Sequence, residues 1–277
     1  MFNWVLIDEI IVNALKEDIS NIDITTDNLI DNKSISKACM ITKENGVIAG
    51  LAVAKRVFEM IDGEIKVIFN VKDGDEVTKG VNIAEIKGST KAILKGERIA
   101  LNILQRMSGI ASISKKYSEI VKDYPVRIVD TRKTTPGLRI LEKYAVRVGG
   151  CHNHRYNLSE SVMIKDNHIR AVGGIKKAVA KIKDRTSHTV KIEVEVESVN
   201  KLKEAIEAGA DIVMLDNMNI DEMTKAVKVA EGRVLLEASG GLNIGNIVDV
   251  AKTGVDIISV GALTHSAKAM DISLNIF

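Results

Sequence analysis

Arginine, lysine and histidine crowd the stretch from Asp130 to Asn167: Arg132, Lys133, Arg139, Lys143, Arg147, His152, His154, Arg155 and Lys165, with His168 just beyond. Guanidinium forks match carboxylates and phosphates bidentately, and a lysine adds a movable point charge. A chain of net charge +2 that gathers its cations in one segment is suited to a small, strongly anionic ligand. Two further groups accompany the cations. Glu195 and Asp216 end neighbouring apolar runs, and carboxylates among cations are expected to stay ionised, ready to hold Mg²⁺, accept ribose hydroxyls or stabilise a developing positive carbon. Ser239-Gly240-Gly241 and Gly261-Ala262 each precede a helix-like segment, where bare backbone N–H groups can cradle a phosphate. Together the three groups fit an anionic ring, a ribose and phosphates. Each phosphate monoester brings about −1.5 to −2 charges, so several cations are needed.

The elements that must position these residues follow Pro125. VRIVDT, SVMIKD, KIEVEVES, DIVMLDN, RVLLEASGG and VDIISVGA read as strands apolar nearly throughout, and VNKLKEAIEAGA, NIDEMTKAVKVAEG and NIGNIVDVAKTG read as the helices between them. Ile192, Ile212, Val234 and Ile257 recur at roughly twenty residues, the period of serial βα units. Strands of this kind form a parallel sheet buried on both faces. Each ends in a polar residue or glycine: Asp130, Lys165, Glu195 or Glu197, Asp216, Glu237 and Gly261. A barrel brings all such ends to one mouth, whereas an open sheet needs them only near its switch point. Six strands instead of eight predict an incomplete barrel.

Before it, a helical stripe over Asp8–Asp18 leads into the polar turn NIDITTDN, and short strands with RVFEMI as a helix make an α/β unit. Asp73-Gly74 and Lys79-Gly80 mark turns, and the apolar positions of Ile93–Tyr117 predict two helices meeting at Ser108-Gly109. The fold class is therefore α/β, with a first domain, an α+β unit, over residues 1–108 and an incomplete or short βα-barrel over 109–265. The tail 266–277 is too short for another βα unit, and one place for it is back against the first domain.

Composition narrows the function further. With 45% hydrophobic and 27% charged residues the chain can fill a core and lacks a basic surface for tracking nucleic acid. Aromatics at 3% offer few platforms for stacking bases. Cys39 and Cys151 stand far apart without CxxC spacing, which fits a reducing compartment, and no apolar run approaches the roughly 20 residues of a membrane span. The expectation is a cytoplasmic protein without a membrane or nucleic-acid partner.

ERIALNILQRMSGIAS, DTRKTTPGLRILEKYAVRVGG, HNHRYNLSESVMIKDNHI, IEVEVES, DIVMLDN, LEASGGLN and ISVGALTHS, in that order, resemble quinolinate phosphoribosyltransferase, the decarboxylating nicotinate-nucleotide pyrophosphorylase of NAD synthesis. The resemblance runs from about the NALKED helix to the end. It implies an N-terminal α/β sandwich domain, an open, TIM-like βα-barrel of six or seven strands and a homodimer, with a hexamer as the larger assembly open to it, in which the sandwich domain of one subunit covers the barrel of the other. It also implies a substrate-binding set of Arg98, offered across that interface, Thr131, Arg132, Lys133, His154, Arg155, Lys165, Glu195, Asp216, Ser239 to Gly241 and Val260, Gly261 and Ala262. Quinolinate would bind among Arg98, Arg132, Arg155 and His154. Lys133, Lys165 and Mg²⁺ on Glu195 and Asp216 would neutralise the pyrophosphate leaving phosphoribosyl pyrophosphate, so that Lys133, Lys165, Glu195 and Asp216 carry the catalysis. Two departures stand out: ISNIDITT where relatives tend to have glycines, and Cys151 where a glycine is common.

Plainer readings compete at each position. Arg98 alone is a surface salt-bridge partner, and Ser-Gly-Gly alone is a turn. Cys151, His152, His154 and His168 fit no usual zinc spacing. An EVEVE run is usually a strand with one solvated face, and among Glu193, Glu195 and Glu197 the resemblance selects Glu195 as the one that points inward. A phosphoribosyltransferase for nicotinate or another heterocycle, a relative attached to metal uptake, and a nonenzymatic anion- or RNA-binding protein are the alternatives. The decarboxylating enzyme releases CO₂ and pyrophosphate; the second class gives product without CO₂, and the last binds without turnover.

Overall fold

The computed structural model describes residues 2–277. In chain order the elements are α1 (Trp4–Asp18), α2 (Ile24–Leu29), β1 (Ile35–Thr42), β2 (Gly46–Val47), α3 (Leu51–Ile61), β3 (Lys66–Phe69), β4 (Glu76–Val77), β5 (Asn82–Ser89) and α4 (Thr90–Ile120). There follow β6 (Arg127–Val129), α5 (Arg139–Val148), β7 (Val162–Ile164), α6 (Asp166–Val172), α7 (Ile175–Arg185), β8 (Ile192–Val196), α8 (Val199–Ala208) and β9 (Ile212–Asp216). The last are α9 (Ile220–Ala230), β10 (Leu235–Ser239), α10 (Ile247–Lys252), β11 (Ile257–Ser259), α11 (Ala262–His265) and β12 (Ile272–Ile276). Two compact units result, one made of the chain up to Lys116 with Thr134–Gly150 and Leu263–Phe277, the other of Tyr117–Lys133 and Cys151–Ala262.

The first unit holds an antiparallel sheet in the order β12-β1-β5-β3. The last strand lies along β1 with Ala38 opposite Ile276 and Thr42 opposite Ile272. Helix α3 buries Leu51, Val53, Ala54, Val57 and Phe58, a three-and-four spacing that gives it one apolar face. Its first amides are satisfied by Asp73, whose carboxylate accepts from Gly50 N at 3.0 Å and Leu51 N at 3.1 Å.

Two expectations are corrected here. NIDITTDN is not only a turn, because α2 forms within it. Asp23 caps the helix by accepting from Thr26 N at 2.9 Å, and Asp27 answers by accepting from Asp23 N at 3.1 Å. Ser108-Gly109 does not separate two helices either, since α4 runs unbroken across it. The glycine serves packing instead: a Cβ there would lie 2.0 Å from Lys268 O, so the C-terminal segment passes directly over the bare helix surface. Arg106, one turn earlier, fastens the same segment. Its guanidinium donates to Ala267 O at 2.8 Å, to Thr264 O at 2.5 Å and to the fully buried Glu142 of α5 at 2.8 Å. Glu142 accepts in turn from Thr135 N at 3.1 Å.

The second unit holds a six-stranded parallel sheet in the order β6-β11-β10-β9-β8-β7. This is the order of a barrel of sequential βα units left open between β6 and β7, with α6 to α10 as the crossovers. His152 extends the β6 edge through a parallel bridge to Val129, with His152 N donating to Ile128 O at 2.8 Å and Asp130 N to His152 O at 3.1 Å. In-register pairs such as Asp216 with Ser239 and Glu195 with Met214 set the carboxyl ends of the strands level.

Alanine normally favours a helix over glycine by about 1 kcal/mol. Gly109→Ala is nevertheless expected to lower stability by about 1–3 kcal/mol, the cost of forcing a methyl into filled space. Urea unfolding checks this, and a variant as stable as the parent would refute the close approach.

Candidate active site

At the carboxyl ends of the parallel strands lies a cavity of about 270 Å³. The loop leaving β6 supplies Thr131, Arg132 and Lys133, the segment after the His152 bridge supplies His154 and Arg155, and β7 supplies Met163 and, at its end, Lys165. Strands β8 to β11 contribute Glu195, Met214, Asp216, Glu237, Ser239 and Ser259. Alternation along each strand turns these side chains inward, and parallel pairing brings them to one mouth.

Of the residues singled out above, Thr131, Arg132, Lys133, His154, Arg155, Lys165, Glu195, Asp216 and Ser239 line this cavity together. Gly240 and Gly241 follow Ser239 with φ of +97° and +61°. A Cβ on Gly240 would meet Asn217 Oδ1 at 2.2 Å, so the loops after β9 and β10 touch at a point only glycine allows. Val260 is buried and donates its N–H to Val129 O at 2.9 Å, prolonging the β11–β6 ladder. Gly261 leads straight into α11, as the glycine-loop reading requires, whereas Gly241 does not lead into α10. The intervening turn is closed by its own asparagines, with Asn243 N and Gly245 N both donating to Asn side chains at 2.8 Å. Arg98 belongs to the first unit, where it borders a separate cavity with Ile10, Ala14, Asn102 and Met107.

The cations of the 130–167 stretch are also less united than their sequence suggests. Arg139, Lys143 and Arg147 ride on α5 in the first unit, Lys143 being buried there. His168 is a helix cap, its Nδ1 accepting from Lys165 N at 2.9 Å. What remains at the cavity is Arg132, Lys133, Arg155 and Lys165. Burial pushes the Arg155 guanidinium down from its ordinary range, and the neighbouring charge of Arg132 pushes the same way, with Glu193 offsetting part of it. Its Nη1 donates to Ser161 O at 2.9 Å.

The acids answer only in part. Lys165 Nζ lies 2.5 Å from Glu195 Oε2. Burial raises the pKa of Asp216, and the Glu195 charge beside it raises it further against Asn217 and Lys165. Two carboxylates drawn together against their repulsion, offering hard oxygen donors, fit a Mg²⁺ ion.

Three residues central to this architecture escaped the sequence reading. Asp130 is completely buried, and its carboxylate accepts from Asn153 Nδ2 at 2.6 Å and from His154 N at 2.9 Å, fixing the HNHR segment. Glu193 and Glu237, both buried, flank His154 Nε2 at 3.2 and 3.4 Å. Alternation held a signal for both acids, since Glu193 shares a face with Glu195 and Glu237 shares one with Ser239. Burial alone would lower the His154 pKa, and the two carboxylates outweigh it and push it up to about 10. Arg155 N, however, donates to His154 Nδ1 at 2.7 Å, so a second ring proton has no free lone pair to take. Burial, joined by the Glu237 charge, raises Glu193 as well, against the hydrogen bond from His154. Among the described residues these three form the one group of three or more Cys, His, Asp or Glu ligand atoms within 4.8 Å of one another, and Cys151, His152 and His168 do not join it.

Residues 23–108 match the quinolinate phosphoribosyl transferase N-terminal domain family, and residues 110–275 match its C-terminal domain family. The chain is 44% identical over 260 residues to a probable nicotinate-nucleotide pyrophosphorylase (carboxylating) of Bacillus subtilis, covering 94% of this chain and 90% of that one. It is 39% identical to the mitochondrial quinolinate phosphoribosyltransferase (decarboxylating) 2 of Nicotiana glauca, over 97% of this chain and 81% of the relative. The crystallised nicotinate-nucleotide pyrophosphorylase of Francisella tularensis superposes with a TM-score of 0.96 at 40% identity, covering 100% of this chain and 98% of that one.

The buried Cys151 has its thiol pushed up to about 12, first by burial and then by the charge of Asp130. It should resist iodoacetamide at about pH 8 in the native protein and react only after denaturation. Mass spectrometry of the alkylated peptides gives the answer, and labelling of native Cys151 would contradict its enclosure.

Proposed function

The chain belongs to the quinolinate phosphoribosyl transferase family, and on that premise we propose that its strand-end cavity joins quinolinate to phosphoribosyl pyrophosphate with loss of CO₂, yielding nicotinate mononucleotide and pyrophosphate. The observation that carries this reading is the confluence of Arg132, Lys133, Arg155 and Lys165 with Glu195 and Asp216 in one recess. Arg132 and Arg155, both lining that recess, suit the two carboxylates of quinolinate. Thr131, Ser239, Gly240 and Gly241, with Val260, Gly261 and Ala262, are assigned to the ribose phosphate, and Lys133 and Lys165 to the departing pyrophosphate.

The chemistry follows from charge. The pyridine nitrogen carries no proton, so no general base is required, and the ring is aimed at the anomeric carbon by its carboxylates. As the bond to pyrophosphate lengthens, Lys133 and Lys165 meet the negative charge that accumulates on the leaving oxygens. Glu195 and Asp216 favour the positive charge that grows on the ribose. Mg²⁺ held by these two acids would supply further neutralisation of the phosphates. After transfer, the bond between C2 and its carboxylate breaks to release CO₂, the electron pair stays on C2 where the adjacent positive nitrogen stabilises it, and a proton from water then adds at C2 to give nicotinate mononucleotide.

We assign Arg98 to the cavity of a second copy. Solvent-exposed Val5 on α1, with Ile22, Ile24 and Leu29 on or beside α2, offers apolar surface for such an association. No helix among the described residues is long and apolar enough to cross a membrane, and two free cysteines support a reducing, cytoplasmic setting.

Purified protein given quinolinate, phosphoribosyl pyrophosphate and Mg²⁺ should release CO₂ and pyrophosphate, with nicotinate inert in parallel. Product from nicotinate without CO₂ would mean the wrong substrate. Lys133→Ala should cut kcat by about 10²–10³-fold, the scale for losing one group that stabilises transition-state charge. Unchanged turnover would remove Lys133 from the reaction. If the site is shared, mixing inactive Arg98→Ala and Lys133→Ala subunits restores about a quarter of the activity, as random pairing in a two-fold dimer predicts. No recovery would place Arg98 elsewhere.

A further inference from the structure

Beneath the cavity two acids are buried at some cost. Glu193 Oε1 and Glu237 Oε1 have no hydrogen-bond partner and no solvent, a condition tolerated only where something is gained by it. Each presents its other oxygen to His154 Nε2. The opposite ring nitrogen receives Arg155 N–H at 2.7 Å, and a nitrogen that accepts is unprotonated, so the proton sits on Nε2 and is donated toward the carboxylates. This excludes the metal centre that one histidine and two acids suggest, because a cation needs the Nε2 lone pair. It also leaves the imidazole no nitrogen for a substrate carboxylate, the role expected of it above.

We propose that Glu193 and Glu237 are positioning residues that act through His154: they grip its Nε2–H, and the ring thereby holds the Arg155 backbone so that its guanidinium stands ready for a substrate carboxylate. The inference rests on the quinolinate reading and deepens it. Arg155 is fixed at its N–H by the ring and at Nη1 by Ser161 O, while Asp130 fixes the residue before it. Carboxylates suit this task because they only accept, so the ring cannot turn over without losing its partners. His154, Arg155 and Glu237 also border a second cavity, of about 420 Å³, reached past Tyr156, Glu160 and Lys191. The clamp is thus the wall between the two spaces, and loosening it would let Arg155 sag away from the substrate side.

The test compares Glu237→Leu, which removes the acceptor, with Glu237→Gln and Glu193→Gln, which retain one. Glu237→Leu should raise the KM for quinolinate at least about 10-fold, equivalent to about 1.4 kcal/mol, and leave the KM for phosphoribosyl pyrophosphate unchanged. The Gln variants should recover most of the loss. A merely structural role would instead lower kcat and weaken both substrates together with the melting temperature, and that result overturns the proposal. Nitrogen-15 NMR of the histidine rings should show His154 protonated at Nε2 and accepting at Nδ1 in the parent and both Gln variants. A protonated Nδ1 in the parent refutes the clamp even if Glu237→Leu fails to fold. A parent enzyme that does not turn over quinolinate would defeat the reaction assigned to it, and the ring tautomer would still decide the clamp.

Discussion

Like charges held in a recess are the constraint around which this protein is built. Burial lowers the proton affinity of Arg155, and the charge of Arg132 adds to it. Left to itself such a pair would swing outward. Here Arg155 is tied at its backbone and its guanidinium, and the residue before it is tied to Asp130.

Parallel topology makes the arrangement achievable. A βα unit delivers one strand end to a common mouth, so six units supply six independently chosen side chains without any loop having to fold back on itself. The open seam between β6 and β7 adds a seventh contribution, since the segment bridged at His152 enters there and carries His154 and Arg155 inward. Glu195, Asp216 and Ser239 consequently rest on strands, which limits the reorganisation needed when charge moves during reaction.

Much of this was legible from the order of residues. Apolar runs ending in Asp130, Lys165, Glu195, Asp216 and Gly261 announced parallel strands with a shared mouth, and the open barrel follows from their number. What escaped did so for identifiable reasons. Gly109 reads as a break because local propensity is all that a sequence window reveals, whereas its purpose is a contact with Lys268, far along the chain. Arg139, Lys143 and Arg147 were grouped with Arg132 by proximity in sequence, yet the helix carrying them belongs to the other unit. Glu193 and Glu237 were visible as letters, but acids are so regularly solvated that only coordinates reveal a pair sealed around one imidazole. Asp23, by contrast, signalled α2 through its capping spacing and was simply outweighed by the polarity around it.

Strand β12 pairs with β1 although nearly the whole sequence separates them. During synthesis the edge of β1 stays bare while all six βα units emerge and become able to fold, and it is covered only after Ile272–Ile276 has left the ribosome. Maturation of the chain therefore runs outward from the middle: the parallel unit can settle early, and the antiparallel sheet is the last part to close.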